Sequence, residues 1–140
     1  IQTSPKLLAT TALSVTLSAT RSTSAIMKKL SKSHRLRPRE AAAMLDCVEV
    51  FGYSVDQLQR SVEEMNHIKG SNFELQMNDI QTWVSAALTD DDTCMDGFAG
   101  KAMNGKVKTT VRSHVVKVAQ LTSNALALLS NYASTQTTSP

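Results

Sequence analysis

Residues that build turns and strands are scarce in this chain, which has five Gly, three Pro and 4% aromatic residues in 140 positions. Sandwiches and barrels need more of all three, so the composition excludes them and favours helices rich in Ala, Leu, Ser and Thr. Long apolar runs are missing as well. The longest near the start, Leu7-Leu8-Ala9, is broken at once by Thr10 and Thr11, and the chain opens on Ile1 rather than Met, so neither a targeting segment nor a membrane span is expected. Catalytic signatures are absent too: no Gly-x-Ser-x-Gly elbow, no phosphate-binding Gly loop and no Cys-x-x-Cys pair. Neither an enzyme nor a bound cofactor is therefore expected. Cysteine is limited to Cys47 and Cys94, which permits one disulfide or two buried thiols. If joined, they close a long loop worth about 4 kcal/mol in lost chain entropy.

At 140 residues and 41% hydrophobic content, the chain is long enough for one domain with a substantial core. Four stretches carry apolar residues at alternating steps of three and four, the period of a helix with one buried face. The first stripe reads Leu8, Ala12, Val15, Ala19, Ser22, Ile26 and Leu30; the second reads Met44, Val48, Phe51, Val55, Leu58, Val62 and Met65. A third reads Phe73, Met77, Ile80, Val84 and Ala87, then Cys94 and Phe98, with Asp91 where an apolar residue was due. A weakened or kinked helix is expected near Asp90-Asp91-Asp92. The fourth stripe reads Val111, Val115, Val118, Thr122, Ala125, Leu129 and Tyr132. Helices are expected over about 5–33, 38–68, 73–98 and 107–133, with 134–140 a frayed Ser/Thr tail. An all-α, antiparallel up-and-down four-helix bundle over residues 1–133 buries all four stripes with short connections.

The net charge of +3 hides its distribution. Residues 1–39 hold eight basic residues and no acid, residues 40–100 hold all twelve acids with only Arg60 and Lys69, and residues 101–140 hold five basic residues and no acid. In a bundle these blocks become an acidic face on the second and third helices and a basic one opposite. The basic stretch from Lys28 to Arg39 carries no interleaved aromatic residue for stacking, so it reads as a solvated loop rather than a nucleic-acid site. Glu64 and His67 have the Glu-x-x-His spacing of a di-metal bundle but lack its second copy, and read as a surface pair in a last helical turn. No metal is expected.

The stretch Met44-Leu45-Asp46-Cys47-Val48-Glu49, followed by Val55-Asp56-Gln57-Leu58 and Ser61, resembles the second helix of plant invertase and pectin methylesterase inhibitors. Thr82-Trp83-Val84-Ser85-Ala86-Ala87-Leu88-Thr89, Thr93-Cys94-Met95-Asp96-Gly97-Phe98 and Gln120-Leu121-Thr122-Ser123-Asn124-Ala125-Leu126-Ala127 match further segments, so the resemblance spans residues 44–128 in family order. It implies a four-helix bundle, a Cys47–Cys94 bridge between the second and third helices, and secretion to the plant cell wall. The usual N-terminal hairpin with its own cysteine pair has no counterpart: either the sequence begins after it or this member has lost it.

By the resemblance, the protein covers the substrate cleft of its target in a one-to-one complex and performs no chemistry. The Pro-Lys-Phe loop typical of invertase inhibitors is replaced by Gly100-Lys101-Ala102-Met103-Asn104-Gly105-Lys106, which favours pectin methylesterase over invertase. An autoinhibitory pro-region of a pectin methylesterase is the other form this domain takes, and a non-inhibitory helical interaction module is the alternative of a different class. No nucleic acid or membrane is expected as partner. Glu49, Tyr53, Asp56 and Arg60 stand at steps of four, three and four on the second helix, with Thr93 and Asp96 across from them on the third. This strip is the expected enzyme-binding face.

Overall fold

The computed structural model describes residues 4–100 and 105–137. It contains α1 (Pro5–Ser31), α2 (Pro38–Asn66), α3 (Phe73–Asp96) and α4 (Lys106–Thr137), with a 3₁₀ turn at Gly70–Asn72 before α3. Each boundary has a local cause. The Ser4 hydroxyl accepts the Leu7 N–H at 3.0 Å, and Pro5 supplies a first residue that needs no hydrogen-bond partner. Pro38 opens α2 in the same way, while the Glu40 carboxylate accepts the Arg37 N–H at 3.0 Å. After α3 the Phe98 and Ala99 N–H groups bond back to Met95 and Asp96, and Gly100, at φ +104°, takes a conformation that a side chain would strain.

Successive helices run antiparallel, and α1 packs on α2, α2 on α3, α3 on α4 and α4 on α1, the closed ring of an up-and-down bundle. Among the described residues no helix is long and apolar enough to cross a membrane. Two differences from the sequence expectation concern helix ends and continuity. α4 continues to Thr137, past the expected boundary at residue 133; residues 138–140 of the expected tail lie outside the described residues. α3 runs unbroken through Asp90-Asp91-Asp92, because Ser54 on α2 donates to the Ala87 carbonyl at 3.1 Å and bonds Asp90 at 3.3 Å, tying that turn to its neighbour.

The interior forms two clusters. One packs Leu13, Leu17, Leu58, Ile80, Val84 and Leu129; the other packs Met27, Met44, Phe51, Phe98, Val111 and Val115 around Cys47 and Cys94. The α4 stripe is buried as its periodicity demanded, from Val111 to Tyr132. The α1 stripe is not. Leu8 and Val15 are exposed, and the inward residues are Ala9, Leu13, Thr16, Leu17, Thr20, Thr23, Ser24 and Met27, one position out of phase with the expectation. The reason is chemical. Thr16 and Thr20 return their hydroxyl protons to the carbonyls of Ala12 and Thr16, both at 2.7 Å, and so can be buried where an apolar residue was assumed to be needed. On α2 the inward positions between Met44, Phe51, Leu58 and Met65 are likewise Cys47, Ser54 and Ser61, with Val48, Val55 and Val62 half-buried beside them.

Candidate functional site

Cys47 and Cys94 are joined, with S–S 2.01 Å and Cα–Cα 4.5 Å. The bridge fixes the third turn of α2 against the last turn of α3, and both cysteines are buried. The pairing implied by the resemblance is the one formed. The residues packed around it, Met27, Met44, Phe51, Phe98, Val111 and Val115, are apolar.

Glu49, Tyr53, Asp56, Arg60, Thr93 and Asp96 are all exposed. The fold brings three of them together. The Tyr53 hydroxyl donates to Glu49 Oε1 at 2.7 Å, and Glu49, Tyr53 and Asp56 form the α2 wall of a groove of about 530 Å³. That bond, together with the negative charge of Glu49, holds the Tyr53 hydroxyl above its ordinary pKa, so it stays a donor. The groove has a second wall that the charge blocks did not predict: Arg21, Ser24 and Lys28 of α1 face the acids, with Gly52 leaving space between. The expected, mainly acidic strip thus has a basic margin on α1 where Glu49 and Asp56 line the groove.

The other three lie apart from this groove. Arg60 belongs to a separate depression further along α2, with Glu63, Glu64, His67 and Trp83. Thr93 donates to the Thr89 carbonyl at 3.0 Å, one turn back on its own helix, and its side chain is therefore fixed along α3. Asp96 is the last residue of α3, about half a turn beyond Cys94 at the bridge. A carboxylate there opposes the partial negative charge of the helix C-terminus, and the last turn of α3 contains no basic residue to offset it. A charge placed against the local helix preference is the kind of departure that binding sites show.

Sequence reasoning missed Ser54 and Asp90. Ser54 is buried behind Tyr53, and its bonds to Ala87 and Asp90 hold the exposed face of α2 in register with α3. Burial pushes the half-buried Asp90 carboxyl above the usual range, against the hydrogen bond from Ser54, which lowers it. An outward-looking charge pattern could not reveal either residue, since neither belongs to the exposed strip.

The basic residues Lys28, Lys29, Lys32, Arg35, Arg37 and Arg39 are exposed, as are Lys106, Arg112 and Lys117; Lys101 lies outside the described residues. They gather toward the disulfide end of the bundle, where α1 ends and α4 begins, rather than forming only a face opposite the acids. Glu64 and His67 are engaged at the end of α2: Gln76 donates to Glu64 at 2.7 Å, and His67 Nδ1 lies 2.7 Å from the Glu63 carbonyl. Among the described residues no group of three or more His, Cys, Asp or Glu side chains could hold a metal ion.

Comparison with known proteins adds to this geometry. A sequence profile described as "Plant invertase/pectin methylesterase inhibitor" matches residues 1–128. A "21 kDa protein" of Daucus carota is 52% identical over 136 residues, which cover 95% of this chain and 70% of that protein. "Pectinesterase inhibitor 10" of Arabidopsis thaliana is 50% identical over 139 residues, 97% of this chain and 44% of its own length. The chain thus spans under half of the second relative. The crystal structure of a pectin methylesterase inhibitor from Arabidopsis thaliana superposes with a TM-score of 0.75 over 92% of this chain and 78% of that one, at 22% identity, a likeness of fold. The extent of the profile match and the identity to these relatives place the chain in the plant invertase/pectin methylesterase inhibitor family.

Proposed function

We propose that the protein is an inhibitor of a plant pectin methylesterase, secreted to the cell wall, and that it acts by laying the disulfide end of its α2–α3 face over the substrate cleft in a one-to-one complex. It contributes no catalytic group; exclusion of the polymer is sufficient. The observation that carries the reading is the set of exposed polar residues at the bridge, Glu49, Tyr53, Asp56, Thr93 and Asp96, held on two helices that cannot slide past each other. Rigid presentation lowers the ordering loss on association. The half-identical Arabidopsis thaliana relative named as a pectinesterase inhibitor supports the choice of target.

Titration of a plant pectin methylesterase and a plant acid invertase, side by side, tests the proposal. The expected result is loss of esterase activity with an end point at one inhibitor per enzyme, and unaltered invertase. Full esterase activity at saturating protein overturns it, and inhibition of invertase alone transfers the target. If the acids steer a basic partner, association slows with added salt and slows further in Asp56→Lys and Asp96→Lys. Unchanged rates in both variants remove the steering role.

A further inference from the structure

Between the two core clusters lies a level of the bundle that is polar and closed to solvent. Thr20 on α1, Ser54 on α2 and Thr122 on α4 are 0% exposed, and Asp91 on α3 is 1% exposed. Cross-helix bonds set the register. The Ser54–Ala87 bond and the disulfide place Asp91 opposite the Phe51–Ser54 turn of α2. The Gln81–Ser130 bond places it opposite the Val118–Thr122 turn of α4, and the Thr16–Leu121 bond brings Thr20 to the same level from α1.

The hydroxyls at this level have already committed their protons. Thr20 donates to the Thr16 carbonyl at 2.7 Å, Thr122 to Val118 at 2.8 Å, and Ser54 to Ala87 at 3.1 Å. What remains on each oxygen is lone pairs, which accept and cannot donate. Both oxygens of Asp91 lack a hydrogen-bond partner. An ionised carboxylate, which only accepts, is therefore the wrong species for this level, whereas the neutral acid has one O–H to offer. Among the described residues no cation of the facing helices bonds to Asp91. Arg21 and Lys28 of α1, Glu49, Tyr53 and Asp56 of α2 and Lys117 of α4 are all exposed, and the half-buried His114 stands about two turns along α4 from Thr122. On α3 itself the neighbours are Asp90 and Asp92, both of which disfavour a further negative charge.

We propose that Asp91 is an acid-set latch: the neutral acid is the form that this closed, cation-free level tolerates, and its ionisation loosens the bundle there. The proposal rests on the fold alone and stands or falls independently of what the surface binds. Burial, with Asp90 and Asp92 adding to it, pushes the Asp91 carboxyl from 3.8 up to about 8. A carboxyl raised on folding binds its proton more tightly in the folded chain. Its contribution is thus fully present below the unfolded value near 4 and is lost as pH rises toward and through 8.

Thermal unfolding of the wild type, Asp91→Asn and Asp92→Asn between pH 5 and pH 9 tests this. The wild-type Tm should fall across the range by at least about 5 °C, a conservative share of the linked free energy. Asp92→Asn should keep that slope. Asp91→Asn, which is uncharged at every pH, should flatten it. A wild-type Tm that does not fall, or an Asp91→Asn slope equal to the wild type's, overturns the latch. Should Asp91→Asn not fold, the carboxyl ¹³C resonance of Asp91 in the wild type gives the answer directly: a midpoint above pH 6 supports the latch, and one in the ordinary carboxylate range overturns it.

Discussion

The two halves of the core solve the same packing problem with different means. At the open end Leu13, Leu17, Leu58, Ile80 and Leu129 interlock with no covalent help, closed off by an edge-to-face contact of Phe73 and Tyr132 with ring centroids 5.4 Å apart. At the bridged end a disulfide, Phe51 and Phe98 form the centre, and the residues of the candidate binding strip other than Arg60 lie on the outer surface of that half or at its border. On the proposed function, the binding face belongs to the half in which the disulfide ties α2 to α3, and the aliphatic half holds four helices at one spacing. Where a face must be presented rigidly, a covalent tie is worth more than additional apolar area, because it restricts relative motion of α2 and α3 directly.

The largest test of this division is to remove the tie. The double variant Cys47→Ser, Cys94→Ser should lose about 4 kcal/mol of stability, the chain entropy of the loop it closes. Denaturant midpoints report that loss, and hydrogen exchange should quicken first at the bridged end. Leu58→Ala, in the open half, should cost about 3 kcal/mol through its cavity, with the opposite pattern: faster exchange at the open end and inhibition little altered in folded protein. Equal exchange at both ends in either variant would show that the core acts as one unit. The smallest effect is expected from Asp96→Asn, which removes a charge that opposes the α3 dipole. Stability should rise by about 0.5 kcal/mol while inhibition weakens. A rise in stability with undiminished inhibition would remove Asp96 from the binding face.

Legibility in the sequence followed the hydroxyl groups. α4 was readable because Val111, Val115, Val118, Ala125 and Leu129 keep an apolar stripe with one buried Thr in it. On α1 the periodicity points one position out of phase because half of the inward face is Thr and Ser, and periodicity scores a buried threonine as polar even when its own backbone satisfies it. Asp91 is conspicuous as the polar residue in an apolar stripe, yet the expected kink does not follow, since Ser54 ties that turn of α3 to α2. The exposed strip was legible only in part: the spacing brought Glu49, Tyr53 and Asp56 to one wall, but the α1 wall of Arg21 and Lys28 arises from a neighbouring helix.

Four amphipathic segments, their approximate limits and the segregation of acid into the central third were determined by the sequence itself, because helix period, proline and charge act over a few residues. Only the tertiary structure decided which face of α1 turns inward, that Asp91 shares a closed level with three spent hydroxyls, and that basic residues border the acidic strip. Each of those depends on which groups meet across helices, where a proton already given to a backbone carbonyl is no longer available to a neighbour.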